Sequence, residues 1–185
     1  MWRRGGRREE SLVDRREVLQ SSLLLLGEIV GNDYNHPFFA GQSIEEIQQY
    51  VSPVIGTIAS FIKELIELGA VTLMVPGNLP IGCSSSYLTL FKGSNKEEYD
   101  PETGSLTWLN KFAEYHNELL RNELNLIQQP NPHATIIYAD YYNAAMQLYC
   151  SPKKFGELLV HAAEGDDHTI TTLRFYVEYR HQLLE

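Results

Sequence analysis

The amino-acid sequence predicts an α/β fold built on a parallel sheet, and three observations point to it. Short apolar runs at residues 21–30, 70–75 and 134–139 have the length and content of buried strands. Stretches with apolar residues at helical spacing lie between them. Strand, helix, strand, helix, strand then requires right-handed crossovers, with the strands parallel and helices covering both faces.

Taken in order, residues 1–19 are charged and polar and read as loop or a short helix. Residues 21–30 (SSLLLLGEIV) are nearly all apolar and stop at Gly31-Asn32-Asp33. That stop favours a buried strand over a buried helix segment, although Leu is a good helix former. Ser43 followed by Glu46 is a capping-box pattern. Ile44, Ile47, Val51, Val54, Ile55, Ile58, Ile62, Leu65 and Ile66 then recur at helical spacing. Pro53 inside that run implies a kink or two abutting helices. Gly69 is a helix stop, and residues 70–75 read as a second buried strand closed by Pro76 and Gly77.

Residues 76–105 hold most of the Pro, Gly and Ser punctuation and read as a long loop with a short helix. Leu109, Phe112, Ala113, His116, Leu119, Leu120, Leu124 and Ile127 share one face of an amphipathic helix over residues 106–129. Residues 134–139 (ATIIYA) read as the third strand, with a short helix after Asp140. Ligands bind such sheets beyond the carboxyl ends of the strands. That rule places Gly31-Asn32-Asp33, Pro76-Gly77-Asn78 and Asp140-Tyr141 on one rim.

Hydrophobic residues at 43% and charged residues at 21% are ordinary for a globular domain, which argues against a disordered tail or a coiled coil. The net charge of −9 disfavours nucleic acid as a partner, because phosphate is repelled. Arg3, Arg4, Arg7, Arg8, Arg15 and Arg16 crowd the start, but Glu9, Glu10, Asp14 and Glu17 dilute them. A solvated end explains this better than a nucleic-acid arm. There is no signal-peptide pattern and no apolar run of roughly 18 residues, so no integral membrane segment is expected. Cys83 and Cys150 fit no metal motif, and they either pair or remain separate thiols. No metal and no cofactor is expected.

Four stretches, in order, resemble the plant GDSL-type (SGNH hydrolase superfamily) esterase/lipases. They are Gly27-Glu28-Ile29-Val30-Gly31-Asn32-Asp33-Tyr34-Asn35, similar to the family's G-x-N-D block, and Val75-Pro76-Gly77-Asn78-Leu79-Pro80-Ile81-Gly82-Cys83, similar to its P-x-G-C segment. The others are the helix containing Leu109-Asn110 and His116-Asn117-Glu118-Leu119-Leu120, and Tyr138-Ala139-Asp140-Tyr141-Tyr142-Asn143-Ala144. Val30 stands where the family usually has Gly. The resemblance covers roughly residues 20–156. It implies an SGNH-hydrolase (flavodoxin-like) three-layer sandwich that cleaves carboxylic esters, acting on a small acyl ester or lipid through an acyl-enzyme.

Such chemistry needs a serine nucleophile, a histidine base, an orienting aspartate and oxyanion donors. Of these roles the resemblance carries over one, the oxyanion asparagine, to Asn32. Residue chemistry alone also fits Asn32 as a turn residue at a strand end. The sequence contains no G-D-S. Ser43 is explained by capping, and Ser84, Ser85 and Ser86 fall in a loop of the family pattern. Asp33-Tyr34-Asn35-His36 is a D-x-x-H in the wrong place, and His36 reads as an exposed loop residue. His116 reads as a core or boundary histidine. His133, His161, His168 and His181 lack the family context. Nucleophile and base are therefore not found.

The expected organisation is a charged segment over 1–19, a partial SGNH/GDSL hydrolase domain over 20–156 and a divergent tail over 157–185. An N-truncated product with an alternative carboxyl terminus would have this pattern. A missing sheet strand would leave the fold incomplete, with an open edge. Two functions compete: an ester hydrolase that is catalytically impaired as the chain stands, and a non-catalytic remnant pairing with an intact relative. An unrelated flavodoxin-like binding domain is a third reading, but no phosphate-binding glycine motif supports it. The family is commonly secreted, and nothing in this sequence fixes a location.

Overall fold

The computed structural model describes residues 16–26, 30–93 and 95–150. The tail expected over 157–185, with His161, His168 and His181, and most of the charged segment lie outside them. The described residues fall into two compact units. One, the sheet unit, holds those up to Gly77 together with Glu118–Ala139; the other, the loop unit, holds Asn78–Asn117 and those from Asp140 onward.

In the sheet unit, β1 (Leu23–Leu25), β2 (Thr72–Pro76) and β3 (Thr135–Ala139) are all parallel, in the order β1-β2-β3. The fold class is thus α/β with a small parallel sheet, consistent with an incomplete SGNH-like sandwich. Its helices are α1 (Val30–Phe39), α2 (Ile44–Gln48), α3 (Val51–Leu68) and the carboxyl-terminal half of α5 (Thr107–Gln128).

The register separates two sheet faces of different character. Leu24, Leu73 and Ile136 lie level on one face, where Leu73 and Val75 are fully buried. Leu25, Met74 and Ile137 lie level on the other, with Leu23 two residues before Leu25. There Leu23 is 56%, Leu25 57% and Ile137 37% exposed. Among the described residues, then, the first strand is not fully buried as expected, and this face is partly exposed. The first strand is also much shorter than residues 21–30. A helical stretch ends at residue 21, and a new helix begins at Val30. The hydroxyls of Ser21 and Ser22 bond to the Glu17 and Val18 carbonyls and keep the start of this run with the preceding helical stretch.

The capping box is present as expected. The Glu46 backbone N–H donates to Ser43 Oγ at 3.3 Å, and the Ser43 N–H donates to Glu46 Oε2 at 2.9 Å. The long helical run divides into α2 and α3 at Tyr50, not at Pro53. Pro53 occupies the first turn of α3, where a backbone N–H has no intrahelical acceptor to lose. Gly69 ends α3 with φ 110°, a left-handed conformation that favours glycine. Val51, Ile55, Ile58, Ala59, Ile62 and Ile66 form its buried stripe. From α5, Leu120, Leu124 and Ile127 are buried as well.

Among the described strands β3 is an edge, and one side chain fastens its start. Gln128, at the end of α5, accepts the Ile136 N–H at 2.9 Å through Oε1. Its Nε2 donates to the carbonyls of Ala134 (2.7 Å) and Asn131 (3.0 Å). Arg121 lies over the Tyr138 ring, 4.4 Å from its centroid. Gln128→Ala removes three partners of partly buried backbone and is expected to destabilise the protein by about 1–3 kcal/mol. Urea unfolding measures this. No shift in midpoint would mean that water replaces the amide.

In the loop unit, the long segment after β2 is ordered by short elements: a 3-10 turn (Ile81–Cys83), α4 (Ser85–Leu90) and a second 3-10 turn (Lys96–Glu98). The first half of α5 and α6 (Tyr141–Cys150) complete it. Phe91 stacks near Tyr87 and meets Trp108 edge-on at 5.1 Å, fastening α4 to the start of α5. Asp140 begins α6 by accepting the Asn143 N–H at 3.1 Å.

Candidate functional site

Asn32 lies in the first turn of α1, a few residues beyond the carboxyl end of β1. It is therefore a helical residue and not the turn residue that strand-end chemistry suggests. Its side chain is exposed, so its amide N–H groups are open to an incoming acceptor. The free backbone N–H groups of a helix start add positive potential there. Tyr34 and Phe38, one turn apart and each 1% exposed, anchor α1 in the core and hold Asn32 at the surface. Gly31 has room for a Cβ at ordinary contact distance, so packing does not demand glycine there.

The parallel sheet brings the carboxyl ends of its strands to one edge, where the Gly77 N–H donates to the Ala139 carbonyl at 3.0 Å. Of the stretches expected on the rim, Gly31-Asn32-Asp33 and Pro76-Gly77 belong to the sheet unit. Asn78 and Asp140-Tyr141 belong to the loop unit.

Asp33 and His36 are both exposed, and both lie on α1, so His36 is a helix residue and not a loop residue. His116 is fully buried on α5, as its place on the apolar face implies. Burial pushes its pKa down to about 4, so it is neutral near pH 7 and a weak base. His133 is exposed. Ser43 is committed to its capping box. Ser84 precedes α4 without a side-chain capping bond, Ser85 is buried and Ser86 exposed. Cys83 and Cys150 are both free thiols, the first buried and the second exposed. No group of three or more His, Cys, Asp or Glu placed to hold a metal occurs among the described residues. No helix among them is long and apolar enough to cross a membrane.

The sequence reading missed the asparagines that organise the loop unit. Asn110 Oδ1 accepts the Gly82 N–H at 2.9 Å, and its Nδ2 donates to Ser105 Oγ at 3.0 Å and to Cys83 Sγ at 3.6 Å. Seven residues on, Asn117 pairs with both backbone groups of Asn78: its Oδ1 accepts the N–H at 2.6 Å and its Nδ2 donates to the carbonyl at 3.0 Å. Both asparagines are buried. The available signal was their seven-residue spacing on the apolar face of a helix, where a polar residue requires a buried partner.

No family model matches this chain. The GDSL esterase/lipase At1g28570 of Arabidopsis thaliana is 57% identical over 143 residues, which cover 77% of this chain and 37% of that protein. The Arabidopsis GDSL esterase/lipases At1g28580 and At1g28600 are 56% and 54% identical over the same length, covering 37% and 36% of their own chains. The match thus spans just over a third of the length of these relatives. With this identity over three quarters of its length, and with the G-x-N-D and P-x-G-C blocks in order, the chain belongs to the GDSL esterase/lipase family.

Proposed function

We propose that this chain carries the oxyanion-binding part of a carboxylic-ester hydrolase, with Asn32 as donor. The reading rests on the exposed amide of Asn32, held in the first turn of α1 within the G-x-N-D block. Residues 20–156 are the hydrolase-derived part in this reading, and the substrate is a small acyl ester or lipid. An amide N–H at the positive end of a helix stabilises the negative oxygen that develops when an ester carbonyl is attacked. Nucleophile and base are the parts this sequence does not supply: it has no G-D-S, and its buried His116 is held neutral. Without them only residual rate enhancement is left. The purified chain is therefore expected to hydrolyse p-nitrophenyl acetate no faster than its heat-denatured control, and to take no label from a fluorophosphonate probe. Turnover with one labelled serine per chain would overturn the impaired reading and reveal the nucleophile. Asn32→Ala should then lower kcat by about 10²–10³-fold.

The second reading is a non-catalytic module that pairs with an intact relative. Its support is the exposure of Leu23, Leu25 and Ile137 on one face of the sheet among the described residues, since a parallel sheet ordinarily has both faces covered. Light scattering after size exclusion, with the chain alone and mixed with an intact GDSL esterase/lipase, tests the pairing. Two separate species in the mixture would rule it out.

A further inference from the structure

The sequence has two cysteines, and both belong to the loop unit. Cys83 closes the 3-10 turn Ile81–Cys83 and is 1% exposed. Its Sγ receives the Asn110 amide at 3.6 Å and lies 3.8 Å from the sulfur of Met146 on α6. Cys150 ends the same helix four residues after Met146, one turn along the same face. Helical side chains lean toward the amino terminus of their helix, so the Cys150 thiol leans back over the turn that carries Met146. The Cys83 thiol is pushed up mainly by burial, and Cys150 is near enough to add to the effect. Met146, which touches the Cys83 sulfur, is unbranched and flexible, and can swing aside. Cys150 is exposed and open to a soluble oxidant.

We infer that Cys83 and Cys150 form a reversible intramolecular disulfide when the chain meets a low-molecular-weight disulfide such as oxidised glutathione. The Cys150 thiolate attacks one glutathione sulfur; that S–S bond breaks and one glutathione leaves as its thiolate. Cys83 then gives up its proton and attacks the Cys150 sulfur of the mixed disulfide, expelling the second glutathione. Two protein thiols are oxidised and one glutathione disulfide is reduced to two thiols. The first step falls to Cys150, because it is exposed while Cys83 is buried with a raised pKa. The bond ties the carboxyl end of α6 to the turn that Asn110 organises, and makes the loop unit more stable in oxidising surroundings than in reducing ones. This inference is independent of any ester hydrolysis.

The test is oxidation of the whole native chain with oxidised glutathione, followed by alkylation, trypsin and mass spectrometry. The expected product joins tryptic peptides 64–92 and 122–153 within a monomer and is reversed by dithiothreitol. Its melting temperature should rise by about 5 °C or more, and neither change should occur in Cys150→Ser. Cys150 is exposed, so that variant should keep the fold. Glutathione left on Cys150 while Cys83 remains alkylatable after denaturation would overturn the inference. So would a dimer linked through Cys150, because either result places the Cα atoms beyond the roughly 7 Å that a bridge spans.

Discussion

Gly82→Ala is expected to destabilise the protein by about 3 kcal/mol, more than a typical buried substitution. Gly82 needs its missing side chain for space and not for backbone freedom, since it is not among the glycines with positive φ. A Cβ at this position would run into the Leu106 carbonyl oxygen and lie 2.7 Å from Asn110 Oδ1. Relief means moving two hydrogen bonds, Gly82 N–H to Asn110 Oδ1 (2.9 Å) and Leu106 N–H to the Gly82 carbonyl (2.9 Å). These bonds join the P-x-G-C segment to the loop around Ser105, where Thr103 and Ser105 share a 2.6 Å hydroxyl contact and Asp100 accepts three hydrogen bonds. Urea unfolding should show a lower midpoint with an unchanged slope. Adding Asn110→Ala should not rescue the variant, because the main obstacle is backbone. Rescue by that second change would show that the side-chain contact dominates.

The α/β class and the order of elements were legible because periodicity and punctuation agreed. The capping box at Ser43 and the glycine stop at Gly69 have local causes that act whatever the surroundings. What failed depends on neighbours distant in sequence. Leu23 and Leu25 look like buried-strand residues, yet whether a layer covers that sheet face is not encoded within residues 21–30. Of the two readings of Pro53, a kink or two abutting helices, the second holds, but the break falls at Tyr50 and Pro53 sits harmlessly in a first turn. At the site, Asn32 was legible through the G-x-N-D block, while its helical setting was not, because the apolar run before it suggested a strand reaching Val30. Asn110 and Asn117 stood in plain view on an amphipathic helix. Their partners, the backbone groups of Gly82 and Asn78, lie 28 and 39 residues away in the chain, a pairing that no local pattern announces.

The second large effect concerns acid. His116 is fully buried, and burial lowers its pKa from the ordinary 6.5 to about 4. A buried imidazolium lacks solvation, so the folded chain resists protonation until the pH nears 4, whereas the unfolded chain takes up the proton near 6.5. Between these values the unfolded state binds more protons. The contribution of His116 is therefore complete above pH 6.5 and is lost as the pH falls toward 4. The full difference corresponds to about 3 kcal/mol. Asp100 acts lower on the scale: burial alone would raise its pKa, but hydrogen bonds from Thr103 and Glu102 outweigh that and hold it below the usual carboxylate range. It therefore does not account for losses above pH 4. Unfolding free energies measured at intervals from pH 7.5 to 4 should fall steeply for the natural chain. His116→Leu, which keeps an apolar side chain in the same place, should fall by about 3 kcal/mol less over that interval. Equal slopes for the two proteins would mean that other groups govern the acid transition and that the His116 pocket admits water or a counter-charge.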